Sequence, residues 1–234
     1  MRRLLPGVVS LVLLGAGAAA AATPTSIHAS YDIYKAGITI GEVEETYQRV
    51  ADRYTLVSST RAVGIFSLFK RGKLIVRSEG IIDAQGLKPL FFSAVHEDNA
   101  KEGRSAELDW ASNKLALIYQ DQRNVVELPA KTQDRLSAMY QFIFLPLTSP
   151  VLEFPMINGA YLLNFKFQIS TGPLLKTPAG EFATLYVDNK NQGARERTEL
   201  WLATQFHNLP CKMIVTDPGG GKITQVLTRL DVVP

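Results

Sequence analysis

Apolar and polar residues alternate with a period of two along most of this chain, the pattern of half-buried β-strands. The alternation is cleanest where Tyr161, Leu163, Phe165, Phe167 and Ile169 share one parity. Tyr31 and Ile33 alternate with Asp32 and Tyr34, and Tyr54 and Leu56 fall on one face of a strand over residues 53–63. Ile38-Thr-Ile-Gly41 leads into a more polar run to Val50, and further strands are predicted at 74–82, 90–97, 104–110, 114–120, 125–128, 181–187, 197–203, 211–216 and 223–231, after a flexible lead-in over 23–28. Turn residues separate them: Lys35-Ala-Gly37, Gly86-Leu-Lys-Pro89, Ser112-Asn113, Asn158-Gly159 and Pro218-Gly-Gly-Gly221, each with Gly, Pro or Asn where a hairpin asks for it. Ala106, Leu108 and Trp110 share a face that Leu115, Leu117 and Tyr119 can meet across the pair.

One stretch departs from this period. Leu136, Met139, Tyr140, Ile143 and Phe144 fall at i, i+3, i+4, i+7 and i+8, a helical stripe. A helix is therefore expected near 132–145, with Thr132 as cap, Asp134 in its positive first turn and Pro146 as its end. The fold class this implies is all-β: a strongly curved antiparallel sheet or incomplete β-barrel, with one main α-helix packed on or across it. The stripe either plugs a closed core or covers a pocket. The rest of the apolar surplus bears on the same choice. Trp110, Tyr119, Tyr140, Phe144, Phe165, Phe167 and Trp201 could line a cavity under the helix, or fill an ordinary core.

Residues 1–22 stand outside this pattern. Arg2 and Arg3, the apolar run 4–14 and Ala20-Ala21-Ala22 read as a secretory signal peptide. Its rival is an uncleaved anchor, which the glycines and Pro6 disfavour. Cleavage after Ala22 leaves residues 23–234 as a single β-rich domain with no later membrane span, placed in the periplasm. Losing two arginines lowers the formal charge from +3 to +1, so electrostatics give no case for nucleic acid. Cys211 is the only cysteine, so no disulfide forms within the chain.

Chemistry is sparse. His28, His96 and His207 are scattered, no Gly-x-Ser-x-Gly elbow occurs, and the triple glycine precedes no helix that could cradle phosphate. Glu42 and Glu44, with Glu45 beside them, read as a solvated acidic face. No catalytic residue, metal ligand set or cofactor is expected, and the chain reads as a non-enzyme. Lys70, Arg71, Lys73 and Arg77 crowd a strand end beside Ile65, Phe66, Leu68 and Phe69. They would suit an anionic lipid surface, or guard an edge strand.

Three patches in order, Tyr31-Asp-Ile-Tyr-Lys-Ala-Gly-Ile-Thr-Ile-Gly-Glu42, Gln133-Asp-Arg-Leu-Ser137, and Leu200-Trp-Leu-Ala203 with Leu209-Pro210 and Asp217, resemble the domain-of-unknown-function family 3108. The resemblance spans nearly all of residues 23–234. Arg135 stands where that family commonly has a proline, and Cys211 where a valine is usual. It implies a secreted protein of the Gram-negative envelope and brings no agreed activity or catalytic residue. At the level of fold, the architecture is similar in kind to periplasmic carriers of lipid-linked cargo. The functional expectation is a module binding an apolar or lipid-like envelope molecule, with Leu136, Met139, Tyr140, Phe144, Trp110, Trp201 and Phe165 around it. The alternative is a structural or protein-interaction component of the envelope with a closed core.

Overall fold

The computed structural model describes residues 23–68, 72–190 and 196–234. The expected signal, residues 1–22, lies outside the described residues, as do Phe69, Lys70, Arg71 and part of the loop after Asp188. A first run of strands follows the chain: β1 (Ser26–Lys35), β2 (Ile38–Val50), β3 (Arg53–Ala62), β4 (Lys73–Asp83), β5 (Gly86–His96), β6 (Asn99–Asp109), β7 (Lys114–Tyr119) and β8 (Gln122–Glu127). Then come the short β9 (Gln133–Asp134), the helix α1 (Arg135–Gln141), β10 (Val151–Ile157) and β11 (Leu162–Thr171). The chain ends with β12 (Leu175–Thr177), β13 (Gly180–Phe182), β14 (Thr184–Asp188), β15 (Arg197–Ala203), β16 (Leu209–Thr216) and β17 (Lys222–Val233).

Fifteen of these strands make one sheet, in the order β8-β7-β6-β5-β4-β3-β2-β1-β17-β16-β15-β14-β11-β10-β9. Its pairings are antiparallel except the last, where Gln133 and Asp134 run parallel to Met156 and Ile157. The ends β8 and β9 do not pair, so the sheet is not a closed barrel. β12 and β13 form a separate small hairpin. The β1–β2 turn shows why the hairpin signals hold. Ala36 and Gly37 both take positive φ, which matches the twist of the flanking strands.

Four expectations shift. Residues 26–28 are not a flexible lead-in but begin β1, paired with Gln48 and Val233 at Ser26. Gly86 to Pro89 is not a turn; it opens β5, and the turn is Ala84-Gln85. Pro89 is tolerated there because the register shifts opposite it, between Glu79 and Gly80, where a missing ladder donor costs least. The strand expected over 181–187 is broken at Ala183 into β13 and β14. Trp110 belongs to the turn after β6 rather than to its face.

The helix is also shorter than the period predicts, and Thr132 does not cap it. Asp134 does. Its Oδ1 accepts the N–H groups of Leu136 (2.9 Å) and Ser137 (2.8 Å), while its own N–H donates to Ser137 Oγ at 3.0 Å. Thr132 Oγ1 donates instead to Pro129 O. At the other end the chain tightens after Gln141, with Ile143 N–H on Tyr140 O and Phe144 N–H on Gln141 O. A run of aromatic and β-branched residues propagates a helix poorly, and here its side chains are drawn into the core. The stripe itself holds: Leu136, Met139, Tyr140, Ile143 and Phe144 all join one apolar cluster with Ile27, Tyr31, Val43, Tyr47, Leu56 and Leu227. The opposite face is buried too, with Ala138 and Phe142 in a second cluster around Phe154, Phe165 and Phe167.

Polar groups fix α1 against β3, β4 and β5. Ser78 Oγ donates to Asp134 Oδ2 (2.5 Å) and stands 3.1 Å from Tyr54 Oη. Gln133 Nε2 donates to Leu87 O, Gln141 Oε1 accepts Leu87 N–H, and Gln141 Nε2 donates to Gln85 O. Gly86, at φ +97°, is required there, since a Cβ would lie 2.6 Å from Gln141 Oε1. Asp134, Ser78 and Tyr54 are all buried. Replacing Asp134 by Ala removes the cap, about 0.5–2 kcal/mol, and strands buried hydroxyls, about 1–3 kcal/mol. Asp134→Ala is expected to lower stability by about 2–4 kcal/mol in urea unfolding; a change within ±0.5 kcal/mol would contradict this role.

Candidate functional site

A cavity of about 600 Å³ lies beside α1 and is bordered by residues of β1 to β7, β10, β11, β15, β16 and β17. Leu136, Met139 and Tyr140 come to it from the helix, and Ile33, Leu74, Val76, Phe92 and Met213 from the strands. Its residues reach toward one end of the sheet, where Thr60 pairs with Leu74, Leu74 with His96 and Val215 with Ile223. At that end Ile38, Ile65 and Leu68 are exposed. Ile65 and Leu68 belong to a single 3₁₀ turn over Gly64–Leu68.

Among the polar residues that border it is Glu45. It shares the parity of Val43 and Tyr47, which are 3 % and 0 % exposed, and so faces inward from β2. Glu42 and Glu44 face the other way, Glu42 paired with Arg61, Glu44 with Ser30 and 3.1 Å from His28 Nε2. Glu45 therefore does not belong to the solvated acidic face. Its Oε2 accepts Tyr140 Oη at 3.1 Å and its Oε1 accepts Ser58 Oγ at 3.2 Å. Tyr31, on β1 beside it, donates to Pro210 O at 3.1 Å. Burial pushes the Glu45 carboxyl up to about 7, against the opposing pull of the Tyr140 and Ser58 hydrogen bonds. Burial also raises Tyr31 and Tyr140, and the Glu45 charge raises them further. Both phenols stay protonated donors.

This arrangement can hold a molecule by apolar contact and one or two hydrogen bonds. Among the described residues no group of three or more His, Cys, Asp or Glu could hold a metal ion. Cys211 is buried, and that burial raises its thiol to about 11, where it is inert at neutral pH. The arginine and lysine side chains that border the cavity have neighbours of their own. Arg135 lies 3.4 Å from Glu196, Arg104 stacks over Tyr119 at 5.5 Å, and Lys212 lies over Trp201 at 4.7 Å.

The expected site residues divide. Leu136, Met139 and Tyr140 are brought together. Phe144 packs on Tyr47 in the core, 6.1 Å between rings, and Phe165 stacks on Phe167 in the second cluster. Trp201 lies against Tyr186 and under Lys212 and does not itself border the cavity. Trp110 donates from Nε1 to Pro89 O and borders a different cavity, of about 690 Å³, near Gln141 and Leu128. Of the basic patch, Lys73 is exposed and Arg77 is engaged by Glu79, while Lys70 and Arg71 lie outside the described residues. Glu45, Tyr31 and Ser58 were not expected. The signal for Glu45 was its parity: a carboxylate at the middle of Val43-x-Glu45-x-Tyr47 occupies an apolar face.

Raised carboxyl groups set the sign of the pH dependence. In the folded state Glu45 holds its proton to about 7 and Asp134, also raised by burial, to about 6. Unfolded carboxyls release theirs near 4. Between about 4 and 7 these two groups bind more protons in the native chain, so their contribution to stability is fully present below that window and is lost as pH rises through it. Urea unfolding from pH 4.5 to 8 is expected to show that decline, with a shallower slope in Glu45→Gln. An identical slope in the variant would contradict the inward carboxyl.

One comparison with known proteins shows the family. The family model described as "Protein of unknown function (DUF3108)" matches residues 30–228. No curated protein matches the chain. Among solved structures, a candidate lipoprotein from Parabacteroides distasonis is similar at 9 % identity and TM-score 0.37, covering 89 % of this chain and 96 % of its own. A candidate exported protein from Bacteroides fragilis, with a YmcC-like fold, is similar at 11 % identity and TM-score 0.33, with the same coverages. Likeness this loose carries neither site nor function across. Among the described residues no helix is long and apolar enough to cross a membrane.

Proposed function

Since the chain belongs to the DUF3108 family, which comes without an activity, we propose from its own geometry that it is an exported envelope protein that binds an apolar or lipid-like molecule beside α1. The observation that carries this reading is the cavity of about 600 Å³ with its mainly apolar border, a size typical of small-molecule sites. Export is supported by the charged, apolar and small-residue segments of residues 1–22. A sheet curled around the helix is supported by side-chain contacts between strands far apart in its order, such as Ser78 on β4 with Asp134 on β9. The exposed Ile38, Ile65 and Leu68 near one end of the cavity give an apolar molecule a route in.

The alternative, a protein-interaction component of the envelope, draws support from β8. It lies at the end of the sheet with Val125 half exposed, an edge that another strand could extend. The two readings part on a cavity-filling substitution. Met139 is half-buried, packs against both apolar clusters and borders the cavity, so the larger apolar side chain of Met139→Trp would extend into it. A neutral naphthylamine probe that fluoresces in apolar surroundings is expected to bind the natural protein and to lose at least about tenfold in affinity in Met139→Trp, with little change in melting temperature. Equal probe binding by both proteins would place the probe elsewhere and count against this site.

A further inference from the structure

We propose that the molecule this cavity takes carries a hydrogen-bond-donating polar group, a hydroxyl or an ammonium, which meets the carboxyl of Glu45 between Ser58 and Tyr140. This rests on reading the cavity as a binding site and names the class of ligand. The starting point is the acceptor capacity of a carboxylate. It can accept about four hydrogen bonds, and among the described residues Glu45 receives one on each oxygen, from Tyr140 and Ser58. The neighbouring phenol of Tyr31 is committed to Pro210 O. What surface Glu45 keeps faces the cavity it borders.

A wholly apolar occupant would strip water from that carboxylate and return nothing, the costly way to treat a buried polar group. An occupant that entered with its own carboxylate first would add a like charge at close range. A hydroxyl or an ammonium corrects both faults. The cationic residues bordering the same cavity do not reverse this preference. Arg135 is paired with Glu196, and Arg104 and Lys212 lie over the rings of Tyr119 and Trp201; none of the three is among the hydrogen-bond partners of Glu45, whose remaining acceptor sites border the cavity. The groups facing Glu45 are Tyr31 from β1, Ser58 from β3 and Tyr140 from α1, and none of them is a cation. The carboxyl, at about 7, is charged under mildly alkaline conditions.

The test uses dodecylamine, dodecanol and dodecanoate, three chains of one length, as competitors of the bound naphthylamine probe at pH 8.5. The amine and alcohol are expected to displace it at concentrations at least about tenfold lower than dodecanoate. In Glu45→Gln the difference between amine and dodecanoate should shrink to within about twofold. Tyr140→Phe removes one competing donor and keeps the carboxylate, so there the difference should persist or widen. It also serves if Glu45→Gln does not fold. Dodecanoate competing as well as the amine in the natural protein would overturn the inference and leave the cavity reading standing, as would a preference unchanged in Glu45→Gln or narrowed in Tyr140→Phe. Absence of any probe binding to the natural protein would remove the cavity reading, and this inference with it.

Discussion

The side chain of Asp134 has no contact with solvent, and the position of the helix depends on what surrounds it. One oxygen takes the first free N–H groups of α1 and the other takes the hydroxyl of Ser78, which in turn stands beside Tyr54. A helix of seven residues is far below the length that stands alone in water. It exists because this cap closes its N-terminus and because both its faces are buried. Gln133, just before it, and Gln141, its last residue, tie it to the β4–β5 hairpin. Any change that frees Asp134 therefore loosens helix, hairpin and the neighbouring core together.

From that fixed helix the cavity follows. Tyr140 is 1 % exposed, stacks on Tyr47 at 6.0 Å, and directs its hydroxyl to Glu45. It is at once core and border of the cavity, so plug and lid are not opposed roles for α1. Leu136 and Phe144 fill the core beside Tyr47, while Met139 is half-buried, packed against both apolar clusters and bordering the cavity. A flexible thioether at such a position adapts to an occupant better than a branched side chain would.

Much of the fold was legible in the residues, because the period of two records burial on one face. The parity of Tyr161 to Ile169 recurs in β11, where Phe165 and Phe167 are buried and Asn164 and Lys166 are exposed. The helical stripe named the five residues that enter the core. Its length was overread because periodicity records which side chains face inward, not which backbone groups are hydrogen-bonded: Gln133 and Asp134 went to β10, and residues 142–145 to tighter turns. The site was less legible. Trp110, Trp201 and Phe165 are large and aromatic, but size does not say which face of which strand meets which cavity, and the pairing order that decides it is non-local. Glu45 was hidden by its neighbours. Among three nearby glutamates only its parity set it apart, and a carboxylate on an apolar face runs against the ordinary expectation that charge stays outside.

The central claim is that the cavity beside α1 is occupied in the protein's own setting. Native mass spectrometry of the protein released gently from the envelope fraction of cells that make it reads this directly. The account predicts a chain beginning at Thr23 together with a heavier species that carries one additional small molecule, the extra mass falling away in Met139→Trp. A single species at the mass of the chain alone, from both proteins, would contradict it.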